Sequence, residues 1–405
     1  MAYFSPKLKG LVQKQLTRAC LVLFTCLLFG AAQAQSVNYS KFGKGLQFVA
    51  ADSSFSFRFS TRFQLLYASS KDENGNQWDD NFQVRRARLK FEGFAYSPRL
   101  TYKIELGLSN RDIGGDVLKQ QNFASNIILD AVAMWKATPH LEIWIGQAKL
   151  PGNRERIISS QKMQFVDRSL LNSRFNLDRD IGIQLHHQHE IGNVVFREIA
   201  SVSMGEGRDI TAENTGGHDY TARVEVLPFG EFKGEGEYVG SDIYREQTPK
   251  LALAASYDYN DGAIRERGQL GKFLSEPRDL QTMFVDAMFK YSGFSSMAEY
   301  ATSKAENGSV VSRNEDGSIK EAFVTGNAFN VQGGYLFKSN WEIAGRYTSY
   351  APAAITLRSP EKQYTVGLSK YIAGHSLKVQ SDITKSTFPA AEDDYQFRLQ
   401  FELAL

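Results

Sequence analysis

The chain closes on YQFRLQFELAL, residues 395–405. Tyr395, Phe397, Leu399, Phe401, Leu403 and Leu405 are apolar, and Gln396, Arg398, Gln400 and Glu402 stand between them. A period of two places these sets on opposite faces of an extended strand. A soluble sheet turns the apolar face toward its core. A membrane barrel turns it toward lipid and keeps the polar face toward a wet interior.

The pattern recurs along the chain. SFSFRFSTRFQLLY (54–67) sets Phe55, Phe57, Phe59, Phe63, Leu65 and Tyr67 against Arg58, Arg62 and Gln64. RRARLKFEG (85–93) sets Ala87, Leu89 and Phe91 against Arg86, Arg88, Lys90 and Glu92. RLTYKIELGL (99–108) and four later stretches between 329 and 383 follow the same scheme. No apolar run beyond the N-terminal segment approaches the length of a spanning helix. Only helices and closed sheets satisfy the backbone in lipid. The expectation is an all-β, transmembrane antiparallel β-barrel.

The N-terminus agrees. Lys7, Lys9, Lys14 and Arg18 precede the apolar run Ala19–Ala32, and Ala32-Gln33-Ala34 has the small-x-small form of a cleavage site. This reads as a signal peptide over 1–34. Leu23-Phe24-Thr25 before Cys26 does not form a lipobox, and both cysteines lie inside the signal, which leaves no disulfide or zinc-thiolate site. Removing it leaves 43 basic against 45 acidic residues, a formal charge of −2, which argues against nucleic acid as a partner. Residues 35–52 are expected as a periplasmic lead-in and 53–405 as the barrel.

Connections alternate in length. Short ones fall at 97–99, 138–139, 191–192, 292–293, 339–340 and 373–374; long ones fall near 70–80, 110–125, 149–179, 205–218, 260–279, 304–323, 351–361 and 386–393. Short turns belong in the periplasm and long loops outside. Sixteen strands follow, provided that 228–249 does not cross the membrane. A barrel of that size encloses an aqueous channel.

The run GQAKLPGNRERIISSQKMQFVDRSLLNSRFNLDRDIGIQL, Gly146–Leu185, resembles the phosphate-selective porin O and P family. RRARLKFEG, MGEG (204–207), YTARVEVLPFG (220–230), MFKYSGFSSMAEY (288–300) and EIAGRYTSY (342–350) agree with it. The resemblance implies a sixteen-stranded barrel of the bacterial outer membrane, a homotrimer, with a basic constriction that passes small anions such as phosphate or polyphosphate. The terminal Leu405 departs from the family's usual aromatic. The alternation of Tyr395–Leu405 otherwise fits a signal for the outer-membrane assembly machinery.

A pore selects by its narrowest charges. The 149–179 loop holds Lys149, Arg154, Arg156, Lys162, Arg168, Arg174 and Arg179 against Glu155, Asp167 and Asp178, a net of +4. Folded inward, it would set width and field, with Arg154, Arg156, Lys162 and Arg168 as pathway residues. On the wall, alternation turns eleven basic and seven acidic residues inward. Arg58, Arg62, Arg86, Arg88 and Lys90 come from two consecutive strands and would form a basic ladder. His186–His189 (HHQH) puts His187 and His189 on the lipid face without an evident carboxylate partner, so no metal or cofactor is expected. No nucleophile elbow or phosphate-cradling loop points to an enzyme. The rival reading is a plugged, non-conducting barrel acting as an adhesin or scaffold.

Overall fold

The alternating segments form strands wherever sequence patterning calls for them. The structure, a computed structural model, describes residues 41–75, 77–113, 126–209, 214, 216–353 and 357–405. The expected signal peptide, 1–34, and its cleavage point lie outside these residues. In chain order the strands are β1 (Leu46–Val49), β2 (Ser56–Asp72), β3 (Asp79–Ala95), β4 (Ser97–Gly107), β5 (Ile128–Lys136), β6 (Leu141–Lys149), β7 (Arg179–Ile191), β8 (Val194–Ser203) and β9 (Asp219–Leu227). They continue with β10 (Lys250–Arg265), β11 (Phe273–Tyr291), β12 (Phe294–Ala305), β13 (Val310–Arg313), β14 (Ile319–Ala322), β15 (Gly326–Leu336), β16 (Trp341–Pro352), β17 (Glu361–Tyr371), β18 (Leu377–Phe388) and β19 (Ala391–Ala404).

Each barrel strand pairs antiparallel with the next, and β19 returns to β2 from Asp394↔Asp72 to Ala404↔Arg62. Setting aside β1 and the β13–β14 hairpin, the closed barrel has sixteen strands. The opening stretch is its last strand. Leu399 and Phe401 face outward, whereas Arg398, Gln400 and Glu402 are buried in the lumen. Val366 and Ile383 are also exposed on the outside, at 65% and 57%. That apolar jacket with a polar interior distinguishes a membrane barrel from a soluble one.

Most short connections gather at one end and the long ones at the other, as the alternation requires. The exception, 228–249, does not cross. It folds into the lumen from the short-turn end through a single 3-10 turn at Gly236–Tyr238. Lys290 of β11 donates to the carbonyls of Val239 (2.8 Å) and Ser241 (2.7 Å), and Gly240 N donates to Lys162 O (2.8 Å).

The expected lead-in is partly a strand. β1 pairs with Ser56–Phe59 of β2, the length of β2 that β19 leaves uncovered. Between them, Thr61 and Leu405 exchange backbone hydrogen bonds of 3.2 and 2.8 Å. β1 and Leu405 thus cover the length of β2 that β19 leaves open.

The apolar core lies inside the barrel. Leu150, Leu170, Leu171, Phe175 and Leu177 pack on Phe284, Ala301, Ala328 and Tyr350 of β11, β12, β15 and β16. Ile158 and Met163 meet Phe232 of the 228–249 segment and Val195, Leu227, Ala252, Met288 and Met297 of β8–β12. The loop therefore rests on one half of the wall and leaves β2–β4 in the wet half.

Val331 sits mid-strand in β15 on the outer face. Val331→Arg is expected to destabilise the barrel by about 2–4 kcal/mol in urea titrations of the vesicle-inserted protein. Val331→Leu should be near neutral.

Candidate functional site

The 150–178 segment is anchored by one arginine. Arg154 opens a one-turn helix (Arg154–Ile157) and is fully buried. Its Nε donates to Asp286 Oδ1 (2.6 Å), its Nη2 to Glu225 Oε2 (2.5 Å) and its Nη1 to Glu237 O (3.2 Å). Arg223 of β9 shares both carboxylates, so two guanidinium groups neutralise two acids out of reach of water. Burial alone would favour the neutral form, but Asp286 and Glu225 raise the Arg154 pKa above its ordinary value. Breaking such a pair strands a charge in a low dielectric, so it resists removal.

The next residues extend the attachment. Glu155 N donates to Glu299 Oε1 (2.7 Å), while the Glu155 carboxylate accepts from Ser169 N (2.9 Å) and Ser169 Oγ (2.5 Å). Ser169 in turn caps the short helix Leu170–Arg174 by accepting from Asn172 N. Gln164 donates to Glu342 (2.8 Å) and Ser295 (3.0 Å), and Val166 N donates to Asp382 (3.0 Å). The expectation placed Arg154 in the pathway; it lines neither chamber described below, because its partners hold it against the opposite wall.

The β2–β3 wall carries the ladder. Its inward cross-strand pairs are Arg58↔Glu92, Ser60↔Lys90, Arg62↔Arg88 and Gln64↔Arg86. A register shift then inserts Arg85 as an extra residue between Arg86 and Val84. Strict alternation would send Arg85 to lipid; the bulge turns it inward, where it is 1% exposed and binds Asp167 of the loop. Asp167 also lies 3.8 Å from Arg86 and 3.7 Å from Arg398. Nearby, Arg62 Nη2 donates to Ser160 Oγ (2.8 Å) and Gln64 Nε2 to Ser160 O (3.2 Å). The loop thus touches the ladder at Ser160 and Asp167.

Two cavities of about 500 Å³ flank these contacts. Toward the long loops, Arg85, Arg86, Arg111, Arg156, Arg168, Arg179, Arg208, Arg267 and Arg398 face Asp112, Asp167 and Asp178. Toward the short turns, Lys44, Arg58, Arg62, Arg88, Lys90, Lys103 and Lys162 face Glu92, Glu105 and Glu235. Arg86 lines the first and Arg88 the second, so neighbouring rungs of one strand link the chambers. Of the nine expected pathway residues, eight line a chamber and Arg154 does not.

The charges in the chambers are unequally matched. Arg58 and Lys90 share Glu92, and Arg88 binds Glu105 (2.9 Å) and Asp112 (2.8 Å). Arg156 is paired with Asp178. Arg168 reaches only the carbonyls of Glu155 (2.8 Å) and Ile158 (2.7 Å). Burial and the neighbouring Arg156 push its pKa down to about 9. Arg111, an exposed residue of the same chamber, makes no ion pair among the described residues. Burial acts to raise Asp167, but Arg85, Arg398 and Arg86 hold it well below the usual carboxylate range. Arg85 Nε and Nη1 and Arg156 Nε are buried donors without an acceptor. Positive charge is in surplus, and an anion in the upper chamber would relieve it.

Sequence reasoning missed Arg85, Arg111, Arg208 and Arg267 as chamber residues. The pair Arg85-Arg86 inside an alternating strand was a usable signal, since an arginine on the lipid face is costly. The others come from long connections whose paths the sequence does not specify.

A closed sixteen-stranded barrel with an apolar exterior, an inward loop and a charged lumen is an outer-membrane porin. The chain belongs to the phosphate-selective porin O and P family, whose sequence model matches residues 57–368. Its place is the bacterial outer membrane. Among solved structures, the anion-selective porin from Comamonas acidovorans has TM-score 0.54 at 11% identity, covering 87% of this chain and 100% of its own. The outer membrane channel DcaP of Acinetobacter baumannii has TM-score 0.56 at 11% identity, covering 89% and 100%. OprB of Pseudomonas putida has TM-score 0.52 at 8% identity, covering 86% and 94%. At such identities these share the fold. No curated protein matches the chain.

Arg154→Ala should free the loop from the wall without removing a chamber charge. Loss of about 3–5 kcal/mol of stability is expected in urea titration. Planar-bilayer recordings should show larger, noisier single-channel conductance with unchanged anion preference.

Proposed function

We propose that the chain is an anion-preferring diffusion channel, with phosphate or polyphosphate as the solutes its chemistry suits best. The observation that carries this is the upper chamber, where nine guanidinium groups face three carboxylates. Guanidinium binds oxyanions through paired N–H donors, which lysine does not reproduce. An incoming phosphate exchanges hydration for Arg168, Arg111 and Arg86. It then passes the Asp167–Arg85 contact along the rungs Arg86 and Arg88. The lower chamber receives it with Arg62, Lys90, Arg58 and Lys162, whose ammonium has no bonded partner among the described residues.

Conduction requires a site that attracts an ion without trapping it. Asp167 supplies the opposing charge, competing for Arg85, Arg86 and Arg398 at the step between chambers. In this reading residues 1–34 are the export signal, Tyr395–Leu405 is the strand recognised by the assembly machinery, and three copies associate. No chemical step is involved.

The test is the zero-current potential of the purified protein across a KCl gradient, with and without added phosphate. An anion-selective potential and phosphate-dependent block are expected. Arg86→Ala with Arg168→Ala should shift the potential toward zero and weaken the block. Cation selectivity, or indifference to phosphate, would reject the proposal.

Asp167→Asn is expected to do the opposite. It should tighten the phosphate block by up to about tenfold, equivalent to about 1.4 kcal/mol, read from the concentration that halves the chloride current.

A further inference from the structure

The outer surface carries a second constellation, unconnected with the lumen. Along β7, Ile183, Leu185, His187 and His189 alternate outward, near the short-turn end. Opposite them, β8 turns Glu198 outward, in direct register with His187. An ionisable carboxylate on a barrel's outer face requires a reason, since the neighbouring lipid offers it nothing.

Its partners are both histidines. Glu198 Oε2 lies 2.9 Å from His187 Nδ1, and Glu198 Oε1 lies 3.5 Å from His189 Nδ1. One ligand atom from each residue falls within 4.8 Å of the others, the single grouping of this kind among the described residues. His189 Nδ1 has no hydrogen-bond partner and is shielded from water, and the His189 ring is stacked on Phe196 at 5.1 Å. Three donors arranged this way sit close to the ligand separations around a zinc ion, whose bonds to nitrogen and oxygen are about 2.0–2.2 Å.

We propose that His187, His189 and Glu198 bind a divalent first-row transition ion, with Zn²⁺, Ni²⁺ or Cu²⁺ as the fitting class. Two imidazoles and one carboxylate are borderline ligands, which selects these ions over Mg²⁺ or Ca²⁺. Strand geometry supplies the site: residues two apart on β7 share a face, and the cross-strand neighbour closes the triangle. The ion would clip the β7–β8 hairpin from outside, with one coordination position left for water. Sequence reading favoured interfacial histidines here because no nearby carboxylate cluster was evident; Glu198 arrives from the next strand.

The test uses the full chain in detergent, stripped with EDTA and titrated with Zn²⁺ by calorimetry, with thermal unfolding in parallel. One equivalent should bind and raise Tm. Glu198→Gln, which keeps the side chain's size, and His189→Ala should each weaken binding by at least about tenfold, as loss of a direct ligand exceeds loss of an outer-shell partner. Conductance should not change, since the site faces away from the lumen. The chain has six histidines. Equal Zn²⁺ binding by the folded Glu198→Gln protein would therefore assign the ion elsewhere and overturn the proposal. No binding by the unsubstituted protein would leave a histidine–glutamate ion pair only. Either failure leaves the channel reading intact.

Discussion

Lipid offers no hydrogen bond to a backbone amide, and that deficit organises the molecule. It forces the sheet to close, with β19 returning to β2 along eleven consecutive residue pairs. Closure fixes the register, and register fixes which side chains enter the lumen. The lumen then receives the polar half of every strand, including groups such as Lys290, Lys378 and Glu402 that become fully buried once loops fill the space. Buried charges must be paired. The interior is therefore an ionic structure imposed by an exterior constraint.

Pairing divides the lumen into unlike halves. Glu225 of β9, Asp286 of β11 and Glu299 of β12 take the base of the 150–178 loop, and leucine, methionine and phenylalanine side chains pack beside them. On β2 and β3 the inward acids are fewer, and Arg62, Arg85, Arg86 and Arg88 line the two chambers. A whole-wall tally of inward charges averages these halves and finds only a mild basic bias. The field a solute meets depends on which charges are already spent on the loop.

The fold was largely legible because barrel strands state their faces locally. Leu399 and Gln400 differ in facing for a reason visible in either residue's neighbours, and the parity of short and long connections located 228–249 as a segment that does not cross. The inward path of that segment was not legible, since Lys290 and Lys162 hold it from 49 or more residues away in sequence. The place of Arg154 against the far wall was not legible for the same reason: Asp286 stands 132 positions along the chain. Arg85 failed because a bulge changes facing without changing composition. Lengths and periodicity are local quantities, whereas a permeation site is assembled from distant ones.

Arg154 and Arg168 show what decides function within one loop. Both are arginines of the same basic cluster, Arg154 fully buried and Arg168 half-buried, and composition cannot separate them. Arg154 has two carboxylates and a carbonyl, so its charge is cancelled where it stands. Arg168 has two carbonyls, which orient the guanidinium but leave its charge uncompensated. The first is spent on holding the loop; in the proposed channel the second is the one a mobile anion would meet. Because the 228–249 segment meets the same loop from the other end, at Gly240 and Lys162, the loop is backed from behind as well as from the wall. A flexible loop would let its arginines turn toward the nearest carboxylate. A braced one keeps the surplus where a passing ion can use it.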